Sequence, residues 1–248
     1  LIVPVLVIVP LSFNESSFLS YPLSGFSLRW YEAFFHSKEW IGALMNSLLV
    51  APLATLLASV LGVLAAMGLV RGEFRGKGLV MAIIISPMVA PVVIIAVGMF
   101  FFFAKLSLLN SYLGLVLAHA LLGVPFVVIT VVAVLKSYDT NLTRAAASLG
   151  ASPLLAFRKV TLPLIAPGVF SGALFAFATS FDEVVVTLFL ASPTQRTLPI
   201  QMFAGIRENL DPTIAAAATI MIAASLLLLI VMEVLRRRGE KMRQPQPV

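Results

Sequence analysis

The chain has 248 residues, of which 60% are hydrophobic and 11% are charged. Soluble domains contain about 45–50% apolar and about 25% charged residues, so this composition argues against a soluble enzyme or a soluble nucleic-acid-binding domain. The net charge of +6 arises from short cationic clusters between apolar runs, the pattern of membrane-anchoring loops. The absence of cysteine excludes disulfides and thiolate metal sites, and the whole pattern predicts an integral membrane protein.

Six apolar runs predict an all-α membrane protein that forms one transmembrane domain over residues 1–248. A helix needs about 20 apolar residues to cross a bilayer. The first run starts at Leu1 without a methionine, so we expect part of this span to precede the sequence. Pro87 and Pro91 interrupt the third run, and membrane helices tolerate such breakers where neighbouring helices or a cavity satisfy the backbone. The predicted spans are residues 1–13, 41–70, 79–103, 113–135, 164–191 and 214–235.

The distribution of Lys and Arg predicts how these spans are oriented. Twelve of the 17 cations lie in segments 71–78, 136–163 and 236–248, and such an excess is typical of cytoplasmic loops. We therefore expect both termini, including the tail 236–248, to face the cytoplasm. The outer segment 14–40 is rich in aromatic residues and suits a short amphipathic helix at the membrane interface. Anchoring of the segment at the membrane interface accounts for its aromatic residues, and contact of these residues with a ligand is the alternative.

Motifs for catalysis and nucleotide binding are absent from the sequence. The glycine-containing string at residues 72–78 is one residue short of a P-loop and lacks the hydroxyl that would hold Mg²⁺. His36 and His119 fall in different segments, so a zinc site would need carboxylates that are not nearby. We therefore expect no catalytic residues, no metal and no cofactor in this chain, and ATP, if used, must be hydrolysed by another chain.

The connection at residues 136–163 is longer than a simple tether requires and predicts two helices around a glycine turn. Asp139 or Asn141 can cap a first helix, which Gly150 ends. Ser152, followed by a proline, caps a second helix. An interfacial helix pair and a docking site for a partner are both compatible with this pattern alone.

The same connection resembles the signature E-A-A-x₃-G-x₉-I-x-L-P of ABC-importer permeases at every spacing. Arg144 stands where the family has its carboxylate, and Val160 stands where it has isoleucine. Segments 180–186, 196–200 and 212–220 resemble the spermidine/putrescine branch, in particular the second permease of such importers. The matching residues are Ala145, Ala146, Gly150, Leu162 and Pro163.

This resemblance implies a bacterial inner-membrane permease of the type I importer architecture, with a cytoplasmic coupling helix that docks on an ATPase subunit. It implies a homologous permease, two ATPase subunits that bind ATP and Mg²⁺, and an extracytoplasmic substrate-binding protein as partners. A small cationic amine, putrescine or spermidine, is the implied substrate. The residues that the resemblance places at the coupling site are Arg144, Ala145, Ala146, Leu149, Gly150, Ala151 and Ser152.

Two acidic residues lie deep in the fifth predicted span, beside Ser180. A carboxylate near the bilayer centre costs at least about 2.5 kcal/mol on insertion scales, so such residues usually face a bundle interior or an aqueous path. We expect Asp182 and Ser180 to line a path for a cationic substrate and Glu183 to brace a neighbouring helix, and structural pairing is the alternative. His119 lies among small residues and is expected to pack rather than relay protons.

Two other functions remain open on the sequence. A proton-coupled secondary transporter could use Asp182, Glu183 and His119 as a relay. An ABC permease for another small solute, such as an opine or an aminobutyrate-like compound, would share the connection at residues 136–163, called the coupling segment below. A membrane enzyme lacks a nucleophile–base pair or a metal cluster.

Overall fold

The computed structural model describes residues 2–208 and 211–241, and the long regular elements in these residues are helices. This confirms the all-α fold class. A π-helical turn, Phe157–Thr161, and a 3-10 turn, Pro193–Gln195, accompany the α-helices. The α-helices are α1 (Ile2–Leu11), α2 (Arg29–His36), α3 (Lys38–Arg71), α4 (Lys77–Val89), α5 (Val92–Lys105), α6 (Tyr112–Lys136), α7 (Asn141–Ser148), α8 (Pro153–Ala156), α9 (Leu162–Phe181), α10 (Val185–Leu190), α11 (Leu198–Glu208) and α12 (Thr213–Lys241).

Four helices of the described residues are long and apolar enough to cross a membrane. Three of them match the predicted spans 41–70, 113–135 and 214–235. The short α1 has 10 residues, fewer than the roughly 20 that a crossing requires, so the described residues do not show a complete first span. The four helices are Lys38–Arg71, Tyr112–Lys136, Pro153–Phe181 and Thr213–Val231.

The predicted third span, residues 79–103, is interrupted in the structure at one of its two prolines. Helices α4 and α5 meet at an angle of 107°, so they form a broken span or a re-entrant loop. The bend lies at Ala90 and Pro91, where Ala90 is extended with φ −70° and ψ 142°. Proline lacks an N–H and disfavours helical geometry in the residue before it, which explains the break. Pro87, by contrast, lies inside α4.

The predicted fifth span, residues 164–191, has different ends in the structure. The helix starts at Pro153, continues through the π-helical turn and ends at Phe181. The second helix of the predicted coupling segment is therefore the beginning of the span. A separate helix, α10, follows after a break. Helix α12 continues to Lys241, into the predicted cytoplasmic tail 236–248, and residues 242–248 lie outside the described residues.

The chain divides into two compact units, and the first contains Val92–Ala118, Phe181–Ile230 and the described residues up to Pro52. Its apolar centre joins α2, the start of α3, α11 and α12 through Phe34, Ala43, Leu198 and Ala217. Phe34 is fully buried and Trp40 packs against this cluster. The protein itself therefore covers the Phe34 ring, while Trp40 stays half-buried beside the cluster.

The second unit contains Leu53–Pro91, His119–Ser180 and the described residues from Val231 onward. Small residues let its helices approach closely. A Cβ atom placed on Gly172 of α9 would lie 2.6 Å from the Cα of Val127 and 2.5 Å from the Oγ1 of Thr130, both in α6. Val127, Val128 and Val131 are fully buried on this face of α6. The coupling segment is attached to a tightly packed group of helices.

Candidate coupling site and substrate path

The first helix of the candidate coupling site, α7, is held at its start by Asp139. Oδ1 of Asp139 accepts a hydrogen bond from the backbone N–H of Asn141 at 2.9 Å. Of the two predicted caps, Asp139 makes this contact, while Thr140 is the residue directly before the helix. At the other end, the Ser148 hydroxyl donates to the carbonyl of Arg144 at 3.1 Å. Each end of this short helix therefore carries one side-chain hydrogen bond to the local backbone.

The turn after α7 is a glycine-dependent helix end. Gly150 has a φ of +84°, a left-handed conformation that favours glycine. Its N–H donates to the carbonyl of Ala147 at 2.9 Å, and the N–H of Ala151 donates to that of Ala146 at 3.0 Å. These two bonds form a Schellman motif, which satisfies carbonyls that the helix end would leave unpaired. The structure confirms the predicted role of Gly150 in ending the helix.

The helix after the turn starts as the sequence predicted. The Ser152 hydroxyl accepts a hydrogen bond from the N–H of Leu155 at 3.3 Å, and Pro153 occupies the first helical position. Four residues later the chain passes into the π-helical turn Phe157–Thr161 and then into α9. Because these elements are continuous, a displacement of the turn at Gly150 can be carried into a membrane-spanning helix.

The residues expected to dock on an ATPase lie largely at the surface. Ala146 and Ala151 are half-buried. Leu149 is 90% exposed, an unusual state for a large apolar side chain beside a polar segment. The exposed members are Arg144, Ala145, Leu149, Gly150 and Ser152. Their docking role stays a prediction.

The two predicted pathway acids lie in the break between α9 and α10, so the expectation that they lie deep in a continuous span is wrong: the helix ends at Phe181, directly before them. Asp182 is exposed, whereas Glu183 is half-buried. Oε1 of Glu183 accepts a hydrogen bond from the N–H of Val186 at 2.8 Å, so it caps the start of α10. The hydroxyl of Thr187 donates to the Glu183 carbonyl at 3.3 Å. The broken helix leaves the Asp182 carboxylate available for other contacts, while Glu183 braces the helix that follows it.

Ser180, the third predicted pathway residue, is joined to His119. The Ser180 Oγ and the His119 Nδ1 lie 2.8 Å apart, and both side chains are buried. This is the hydrogen-bonded packing expected for His119. The pair belongs to the second unit, and Asp182 and Glu183 belong to the first. Whether any of the three acts on a substrate stays a prediction.

A polar cluster around Asn46 was missed from the sequence. Its Nδ2 donates to the carbonyls of Thr194 and Arg196 at 3.0 and 2.9 Å, and its Oδ1 accepts a bond from the Tyr112 hydroxyl at 2.8 Å. The Ser47 hydroxyl accepts a bond from the N–H of Leu198 at 2.8 Å. The polar pair Asn46 and Ser47 within an apolar run is the sequence signal for this cluster, but it does not identify the distant partners.

A cavity of about 550 Å³ lies next to this cluster in the first unit. Two cations and one carboxylate line it, together with small and amide-bearing residues. Because Asn46 fixes the backbone of Thr194 and Arg196, the lining of the cavity is held in place. The charged lining residues are Lys38, Glu39 and Arg196.

Several curated proteins are similar to this chain over most of its length. It is 35% identical over 217 residues to the spermidine/putrescine transport system permease protein PotC of Haemophilus influenzae, covering 87% of this chain and 84% of that protein. It is 34% identical over 220 residues to the putrescine transport system permease protein PotI of Escherichia coli K12, covering 86% and 78%.

The fold is similar to that of a solved transporter and agrees with the family match. A crystal structure of a bacterial alginate ABC transporter, in complex with a periplasmic protein that holds an alginate pentasaccharide, gives a TM-score of 0.73 at 16% identity. The match covers 96% of this chain and 88% of that chain, and at this identity it supports the fold alone. Residues 58–241 match the family described as the binding-protein-dependent transport system inner membrane component, and the chain belongs to this family.

Proposed function

We propose that this chain is a permease subunit of an ATP-driven importer that carries a small cationic amine of the polyamine class, putrescine or spermidine. As a family member it is a multi-pass inner-membrane transport subunit and not an enzyme. The observation that carries the substrate class is the similarity to PotC and PotI over 87% and 86% of the chain.

The proposed partners follow from the coupling segment and from the family. Residues 144–152 dock on an ATPase subunit, which binds ATP and Mg²⁺, so this chain holds no cofactor of its own. A homologous permease completes the translocation path, two ATPase subunits lie inside, and a substrate-binding protein delivers the amine from outside. The exposure of Leu149 beside a rigid glycine turn supports docking at this site. Both termini then face the cytoplasm.

We further propose that Asp182 is the counter-ion for the amine during its passage. The support is its exposed carboxylate in a helix break that follows an apolar helix. A carboxylate attracts an ammonium group, and this attraction grows where the surroundings have a low dielectric constant. Glu183 contributes by capping α10, which fixes the geometry of the break.

The test is uptake of labelled putrescine and spermidine into proteoliposomes that contain the complete complex, enclosed ATP and external binding protein. We expect uptake that needs ATP, continues in the presence of a proton ionophore and is inhibited by unlabelled amines. Uptake that the ionophore abolishes and that ignores ATP would support the proton-coupled alternative instead.

A third outcome would change only the substrate. If loaded binding protein stimulates ATP hydrolysis but neither amine enters, the importer stands and the polyamine assignment is wrong. An opine or an aminobutyrate-like compound would then be tested in the same vesicles.

A further inference from the structure

Arg71, the last residue of α3, joins three elements at the base of the coupling segment. Its Nη2 donates a hydrogen bond to the Oγ1 of Thr161 at 3.1 Å. Its guanidinium carbon also lies 5.5 Å from the centre of the Tyr138 ring, within cation–π range. All three residues belong to the second unit.

Each of these partners connects Arg71 to the coupling segment. Tyr138 lies just after α6, and its hydroxyl is hydrogen-bonded to the hydroxyl of Thr143 in α7. Thr161 is fully buried and ends the π-helical turn Phe157–Thr161, which joins α8 to α9. π-helical turns frequently occur at functional sites. The arginine therefore links α3 to α7, through Tyr138, and to the π-helical turn that continues α8, through Thr161.

Arginine suits this junction better than lysine does. Its planar guanidinium can donate from one edge while its face lies against an aromatic ring. A lysine ammonium is a point charge and matches the pair of contacts less well. Because Thr161 is buried, its hydroxyl depends on partners within the protein.

We propose that Arg71 is a positioning residue that couples movement of the α7–Gly150–α8 segment to α3. The proposal rests on the proposed docking of this segment on an ATPase. A displacement of α7 acts on Arg71 through Tyr138, and a displacement of α8 acts on it through Thr161. Transport then requires α3 to move together with the α7–Gly150–α8 segment, and the contacts of Arg71 transmit this movement.

The first test measures ATP hydrolysed per spermidine imported, in proteoliposomes with the complete complex and its binding protein. The variants are R71Q, R71K, T161V and Y138F, and R75Q is the control. Arg75 lies in the loop directly after α3, is exposed and makes no hydrogen bond or ion pair among the described residues.

We expect R71Q and T161V to assemble with normal amounts of ATPase subunit and to hydrolyse about three- to tenfold more ATP per spermidine, the range for loss of one such hydrogen bond. R71K and Y138F should give intermediate ratios, and R75Q should match the wild type. The double variant R71Q/T161V should be no worse than R71Q, because the two residues act through one contact. Equal loss of hydrolysis and uptake in R71Q and T161V would indicate a purely structural role and overturn the proposal.

A second test measures the movement directly and needs no transported substrate. The chain contains no cysteine, so spin labels can be placed through S148C in α7 and G68C in α3. Ser148 is exposed, and a Cβ atom on Gly68 meets nothing within 4 Å among the described residues. We expect one label distance with and without ATP in the wild-type background and a second, ATP-dependent distance in the R71Q background. If the R71Q substitution leaves the distribution of distances between the two spin labels unchanged, the proposal is contradicted.

The two proposals fail in distinguishable ways. If L149D does not reduce co-purification of the ATPase subunit, the docking site is wrong. If L149D does so but R71Q keeps the wild-type ratio of ATP to spermidine and the wild-type label distances, the docking site stands and the role of Arg71 is wrong.

Discussion

The Nδ1 atom of His119 lies 2.8 Å from the Oγ atom of Ser180, and both side chains are almost fully buried. The bond joins α6 to the end of α9, 61 residues apart in the chain. Such a bond between buried groups is costly to break, because the remaining partner is shielded from water and has lost a hydrogen bond that water cannot replace. It defines how the two helices face each other just before the break at Asp182.

The S180A variant should therefore be less stable than the wild type by about 1–3 kcal/mol, since it removes one partner of this buried pair. The measurement is the apparent melting temperature of the purified complex in detergent. T179A is the control, because Thr179 is half-buried and makes no side-chain hydrogen bond within the described part of the chain. Equal melting temperatures for the two variants would show that the bond contributes little.

Close packing of α9 on α6 gives a second prediction. G172A should destabilise the complex by about 1–3 kcal/mol, because the added methyl group would lie 2.6 Å from backbone of Val127. G68A, in α3 of the same unit, adds the same methyl group into open space. It should be neutral or slightly stabilising, since alanine is favoured over glycine in helices. Thermal unfolding of both variants tests the difference, and similar values would contradict the tight contact.

The coupling segment was predictable because its signals are local. Gly150, Ser152 and Pro153 each determine the conformation of residues within a few positions along the chain, and the structure confirms the helix, the left-handed turn and the capped second helix. The helix boundaries were less accurate. The second helix continues through a π-helical turn and past Pro163 and Pro167 to Phe181, so neither proline ends it as the sequence had suggested.

Features that depend on distant residues were not predictable. Asn46 bonds to carbonyls about 150 residues away, at Thr194 and Arg196, and no local pattern identifies such partners. The aromatic pattern that places Phe34 on one face of a helix is the same whether lipid or protein covers that face. Pro87 and Pro91 were both possible break points, and the surroundings of each proline decide which one bends the chain.

The left-handed turn at Gly150 gives a third prediction. G150A should weaken binding of the ATPase subunit about fivefold or more, because a Cβ atom in the left-handed region costs about 1–2 kcal/mol. G150N should be closer to the wild type, since asparagine tolerates this conformation. The measurement is the dissociation constant of the ATPase subunit from the purified permease pair.

The control for this prediction is G76A. Gly76 has a φ of +91° and open space around it, so the substitution introduces comparable strain outside the coupling segment. It should leave the affinity for the ATPase subunit unchanged. If G76A and G150A reduce that affinity equally, the effect comes from general instability and not from the docking site.

The neighbouring acids Asp182 and Glu183 give the last prediction, because their carboxylates have different surroundings in the helix break. The D182N variant loses a charge that is exposed, whereas Glu183 is already engaged with the N–H of Val186. E183Q keeps an oxygen that can accept this hydrogen bond. If Asp182 is the counter-ion for the amine, D182N should lower the uptake rate of spermidine about tenfold, an effect of about 1.4 kcal/mol on the barrier. E183Q should change uptake by less, and both variants should assemble normally. Normal uptake by D182N with unchanged preference between putrescine and spermidine would show that Asp182 does not contact the substrate.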